Sequence, residues 1–113
     1  MAEIVWHKRV YSQRKRILLH TAEIFGISVA QNLNRKIEES AAGLKINPRI
    51  GFPDPAFMDL DEHEIRSVLI LKRFKLVYII KNEESYDETV MILSLWDTRR
   101  NPDVLRNNLI KDI

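Results

Sequence analysis

The chain contains no cysteine, so disulfides, thiolate nucleophiles and thiolate metal sites are all excluded, and the composition suits a reducing compartment. Only three glycines occur, and none sits in a phosphate-cradling loop motif. Long apolar runs are missing as well. The longest, such as Leu76 to Ile80, falls far short of the roughly 20 residues that span a bilayer. The amino terminus is polar and charged rather than signal-like, so a cytoplasmic protein with no membrane association is expected. Three scattered histidines, His7, His20 and His63, form no metal-ligand spacing, and neither a metal nor a cofactor is implied.

What remains is an ordinary globular composition. Of 113 residues, 45% are hydrophobic and 30% charged, which predicts one domain over residues 1–113 with one core. The net charge is only +2, yet charge is segregated along the chain. Ile65 to Asn82 carries Arg66, Lys72, Arg73, Lys75 and Lys81 and no acid. Phe52 to Glu64 carries Asp54, Asp59, Asp61, Glu62 and Glu64 and no Lys or Arg. Glu83, Glu84, Asp87 and Glu88 extend the acidic part, and Arg99, Arg100 and Arg106 make the tail basic again. Convergence of the basic strand segment with the basic tail would create a surface that attracts an acidic peptide or a phosphate backbone. Solvated loop charge is the simpler reading for Lys72 and Lys81.

The order of elements reads as strand, helix, helix, strands. Glu3 to Trp6 is β-prone. From His7 to Phe25 apolar residues recur at helical spacing (Val10, Ile17, Ile24; Tyr11, Leu18, Phe25), with Arg14, Lys15 and Arg16 displayed between them and Gly26 placed to end the helix. Ser28 and Gln31 then read as a capping box for a second helix whose stripe is Val29, Leu33, Ile37, Ala41 and Leu44, stopped by Asn47-Pro48. So short a joint implies an antiparallel helical hairpin lying on a sheet. Pro48, Gly51, Pro53 and Pro55 break regular structure, and three antiparallel strands are expected at Glu64 to Leu71, Phe74 to Lys81 and Glu88 to Trp96. In the middle strand Phe74, Leu76, Tyr78 and Ile80 share one face, while Lys75, Val77, Ile79 and Lys81 share the other. That pattern predicts helices on one side of the sheet and a partly charged concavity on the other.

The stretch Trp96-Asp97-Thr98-Arg99-Arg100-Asn101-Pro102 places two guanidinium groups where an apolar strand ends and proline forbids its continuation. Arginine offers a planar fork of donors suited to phosphate and carboxylate, and a strand end holds it still. The competing reading pairs both arginines with acids such as Asp97 and Asp103.

Several pieces, in order, resemble the RelE/ParE superfamily of bacterial type II toxins: Ile4-Val5-Trp6, the helical hairpin with Phe25-Gly26 and Ala30, and Leu44 followed by Pro48-Arg49-Ile50-Gly51. Arg66-Ser67-Val68-Leu69-Ile70, Phe74-Lys75-Leu76-Val77-Tyr78 and a ParE-type ending from Ile92 to Pro102 complete the series. The resemblance implies an α+β fold, with an N-terminal strand and an antiparallel helical hairpin packed on a mainly antiparallel sheet and a C-terminal basic segment. It implies a cognate antitoxin as partner in a toxin–antitoxin hetero-oligomer. Tyr11 and Leu19 are candidates for apolar burial against that partner or against the sheet.

Two mechanisms follow from the resemblance. ParE-like members inhibit growth as inhibitors of DNA gyrase without being nucleases, whereas RelE-like members cut ribosome-bound mRNA. Target or phosphate binding is expected of Arg66, Arg73, Lys75, Arg99 and Arg100, and in the nuclease reading Arg66, Lys75, Arg99 and Arg100 are the catalytic candidates. Lys75 falls where the nucleases carry a catalytic arginine, and Leu105 falls near their catalytic tyrosine. Arginine and lysine stabilise a phosphorane well but transfer protons poorly at neutral pH. The three histidines have ordinary structural explanations: His20 borders a buried stripe, His63 lies among acids, and His7 stands at a strand-to-helix junction. A ParE-like binder is the main reading, a RelE-like endoribonuclease its alternative, and a non-toxic interaction module of the same fold a third.

Overall fold

The computed structural model describes residues 1–60 and 64–110. The chain runs β1 (Glu3–Trp6), α1 (Lys8–Phe25), α2 (Ile27–Ile46), β2 (Phe52–Pro53), a 3-10 turn (Pro55–Phe57), β3 (Arg66–Ile70), β4 (Phe74–Lys81), β5 (Thr89–Asp97) and α3 (Pro102–Ile110). The expected α+β arrangement of strand, helical hairpin and mainly antiparallel sheet is present. None of the described helices is long and apolar enough to cross a membrane.

His7 caps α1, its Nδ1 accepting the backbone N–H of Arg9 at 3.1 Å, as its position between strand and helix suggests. Gly26 ends α1 at φ +96°, a region open to glycine, and it alone joins the two helices. The predicted capping box does not form: α2 begins at Ile27 with no side-chain cap, because a one-residue joint already places Ser28 inside the first turn. The buried stripe of α2 is Ala30, Leu33, Ile37, Ala41 and Leu44, while Val29 is exposed. On α1 only Val10 is fully buried, with Ile17 and Leu18 partly so; Tyr11, Leu19, Ile24 and Phe25 face outward. Arg14 is not displayed to solvent as expected. It crosses to α2, donating from Nε to Asn34 Oδ1 at 3.0 Å and pairing with Glu38, and it lies 5.6 Å over the Trp6 ring.

The sheet has the order β1-β5-β4-β3-β2. β3, β4 and β5 pair antiparallel, whereas β1 pairs parallel with β5 from Glu3↔Thr89 to Trp6↔Ile92. A parallel pair needs a long crossover, and the helical hairpin is part of it. The alternation along β4 holds. Phe74, Leu76 and Tyr78 enter the core under the helices, and Val77 and Ile79 enter a second core on the opposite face. The register passes from Val77↔Ser94 to Tyr78↔Ile92, which leaves Leu93 as an extra residue in β5. Gln13 of α1 serves this break, its Oε1 accepting the N–H of Leu95 at 2.9 Å.

The open concavity expected on that second face is absent. Leu105 and Leu109 of α3, together with Phe57 and Ile65, close over Val77, Ile79, Leu93 and Trp96. Arg106 fastens the cover by a two-nitrogen fork onto Asp59 at 2.6 and 2.8 Å and a bond to Ala56 O at 2.9 Å. Much of the basic tail is therefore a packed helix. Its apolar positions four residues apart outweigh the charge that marks it as a binding segment in the sequence.

Candidate functional site

The five expected phosphate-binding residues separate into three places. Arg66 lies on β3 opposite Tyr78, where its Nη1 donates to Gly51 O at 2.7 Å and its Nη2 pairs with Glu64 at 3.3 Å. It braces the connection between α2 and β2.

Lys75 is also engaged. Its Nζ lies 2.6 Å from Oδ2 of Asp54, both side chains are largely buried, and Ser67 Oγ donates to the same oxygen at 2.6 Å. Burial pushes the Asp54 carboxyl up, but the bonds from Lys75, Ser67 and the Ala56 N–H outweigh it and hold the group below the usual carboxylate range. Asp54 was missed as a partner because it is 21 residues from Lys75 and looks like one acid among many. Leu105, expected near the tyrosine position of the nucleases, is on the buried face of α3 and offers no proton-transfer group.

Arg73, Arg99 and Arg100 do come together. Thr98 donates to Arg73 O from both its N–H and its hydroxyl, at 2.9 and 2.8 Å, which ties the end of β5 to the start of β4. Arg99 forks onto Asp97, from Nε to Oδ1 at 3.2 Å and from Nη2 to Oδ2 at 2.9 Å. This bonding holds the Asp97 carboxyl low against partial desolvation, with the charge of Arg73 adding to it. Arg100 takes neither Asp97 nor Asp103 as an ion-pair partner; its guanidinium stands 4.2 Å over the buried Trp96 ring. Both arginines are exposed, as one reading has it, and Arg99 alone also takes the pairing with Asp97 that the other reading expects.

Arg73 is held between Phe25 at 5.6 Å and Phe74 at 5.5 Å. Its Nε is buried without a hydrogen-bond partner among the described residues. Arg73 and Arg100 line a cavity of about 400 Å³ at the end of the sheet, between α1 and α3. From α1 it receives Arg16 and His20, four residues apart and so on one helix face. A second hollow of about 320 Å³ shares Gln13, Arg16, Trp96 and Asn108 with it. Arg16 appears in the sequence only as a displayed cation, and His20 as a border residue of the core. Their spacing was the available signal, but nothing local tied it to Arg100, far along the chain.

The expectation for His63 lies outside the described residues. Among the described residues no three His, Cys, Asp or Glu side chains gather as a metal site. Chemically, the cavity can hold and orient an anion.

A model of the family described as the ParE toxin of the type II toxin–antitoxin system, parDE, matches residues 4–102. No curated protein matches the chain at a significant level. Among solved structures, one of the chromosomal ParDE system from P. aeruginosa is similar at TM-score 0.64 and 18% identity, covering 86% of this chain and 96% of that one. A YoeB/ParE toxin from Agrobacterium tumefaciens is similar at TM-score 0.57 and 13% identity, covering 84% and 97%.

Proposed function

Since the chain belongs to the ParE toxin family of type II toxin–antitoxin systems, we propose that it arrests growth by binding a macromolecular target such as DNA gyrase, and that a cognate antitoxin covers it. The observation that carries this reading is the state of the nuclease positions: Lys75 is neutralised by Asp54, and Leu105, on the buried face of α3, is sealed in the core. A phosphate bound on that face would meet neither an available cation at Lys75 nor a general base at Leu105. The cations at the end of the sheet are the working surface: Arg73 and Arg100 without an ion pair among the described residues, and Arg99, which is paired with Asp97 but, unlike Lys75, stays exposed at 63%. Tyr11 and Leu19, 64% and 56% exposed, do not pack on the sheet and suit burial by the antitoxin.

The test pairs two assays on the purified protein: gyrase supercoiling, and cleavage of ribosome-bound message. Inhibited supercoiling with intact message, relieved by Arg99→Ala/Arg100→Ala, is the expected result. The ribonuclease reading retains one observation, that His20 shares a cavity with Arg16, Arg73 and Arg100. Message cleavage abolished by His20→Gln would overturn the proposal in its favour. An intact chain that neither slows growth nor acts in either assay would instead fit the non-toxic module.

A further inference from the structure

The cavity between α1 and α3 has features that a flat protein-binding surface does not need. It is concave, its volume of about 400 Å³ lies in the range of small-molecule sites, and it combines apolar walls with convergent cations. Three guanidinium groups, Arg16, Arg73 and Arg100, reach it from α1, β4 and the segment after β5. None of the three makes an ion pair with a described residue. The one acid on the wall, Asp97, has both carboxylate oxygens occupied by the fork of Arg99.

Two of the three arginines are also held in place. Arg73 is clamped between two phenyl rings with its Nε sealed off, so the donors it can offer to the cavity are its two terminal nitrogens. Arg100 is fixed over the Trp96 indole. Gathering three cations beside one compensated acid is unfavourable unless an anion joins them. A dianion suits the excess charge better than a single carboxylate or a diester phosphate does. The rest of the wall selects for more than a bare ion. Ile17, Phe74 and Leu95 supply apolar contact, while Gln13, Thr21 and Asn108 add polar groups to the lining.

We propose that this cavity is a binding site for a small organic phosphomonoester of nucleoside monophosphate size, its phosphate held by Arg16, Arg73 and Arg100 and its organic part resting on Ile17 and Leu95. The site shares Arg73 and Arg100 with the proposed target surface. Its test reads ligand binding on purified protein, so failure here leaves growth arrest and gyrase inhibition untouched.

The experiment is calorimetric titration of the full chain with adenosine 5′-monophosphate, with adenosine and inorganic phosphate as comparison ligands. Saturable binding of the nucleotide is expected, at least tenfold tighter than phosphate, with none for adenosine. Arg16→Gln and Arg100→Gln should each weaken it tenfold or more, while Lys45→Gln, far from the cavity, leaves it unchanged. The Arg16 side chain has no ion pair or hydrogen bond to a described residue to lose, so its variant is expected to fold, and a thermal melt checks that. Three results would overturn the proposal: no binding at millimolar nucleotide, affinity indifferent to Arg16, or phosphate binding as tightly as the nucleotide.

Discussion

Tyr78 shows how much one side chain fixes in this molecule. Its hydroxyl donates to Pro48 O at 2.7 Å and accepts the Gly51 N–H at 3.1 Å, so the turn leaving α2 is pinned to the middle of the sheet. Burial pushes its phenol up in pKa, and the group stays neutral. Alternation along β4 is enough to bury Tyr78, but its partners, 30 and 27 residues away, carry no local signal. A Cβ at Gly51 would collide with the Tyr78 hydroxyl and stand 2.7 Å from Ser67 O, so Gly51→Ala must break the contact. Tyr78→Phe leaves the Gly51 N–H and Pro48 C=O without this partner, at about 1–3 kcal/mol by urea denaturation, and Gly51→Ala should cost at least as much. Asp54 makes the matching statement about pH. Its folded pKa lies below the unfolded value of about 4, so its contribution is complete above that pH and is lost as pH falls through the folded value. Melting temperature should therefore drop on acidification below about pH 4, and Asp54→Asn should flatten that part of the profile.

At the scale of elements, the sequence is legible wherever a period or a stop signal acts alone. β1 and β4 keep their expected limits, and β3 and β5 move by a residue or two, because alternation and the flanking breakers agree. β2 and α3 were missed for different reasons. Two residues of strand leave no period, and the apolar spacing of α3 is hidden among charges in a tail that reads as a binding segment. The turn between β3 and β4 lacks the usual residues for its geometry. Leu71 and Lys72 take φ +53° and +60°, and Arg73 N–H closes onto Ile70 O at 3.2 Å, giving a turn with two left-handed central residues and no Gly or Asn, inside a three-residue connection because Ile70 pairs with Phe74. Left-handed backbone costs an ordinary L-residue about 1–2 kcal/mol. Replacing Leu71-Lys72 by Asn-Gly should therefore stabilise the fold by about 1 kcal/mol, seen as a higher denaturant midpoint at unchanged slope. The short turn also holds Arg73 at the site.

For the molecule as a whole, charge segregation in sequence did not become one cationic face. The sheet separated it: Arg66 went to a structural brace, Lys75 to a buried pair, and Arg73 with Arg100 to a cavity completed by α1. A strand pattern tells which face a lysine occupies, but not that another loop will bring a carboxylate there. This separation discriminates between the two toxin readings. Lys75→Met alone leaves Asp54 buried and unpaired, a loss of about 3–5 kcal/mol, so any fall in activity would be confounded with unfolding. Asp54→Asn/Lys75→Met removes the cation and its counter-charge together, and such paired removals are often nearly neutral for stability. If Lys75 served phosphoryl chemistry, this double variant would fold and lose its effect. If the end of the sheet is the working surface, the double variant keeps arresting growth while Arg99→Ala/Arg100→Ala does not. Growth curves of the two double variants, read beside their melting temperatures, decide it. A well-folded Asp54→Asn/Lys75→Met protein without effect on growth would sink the binding mechanism.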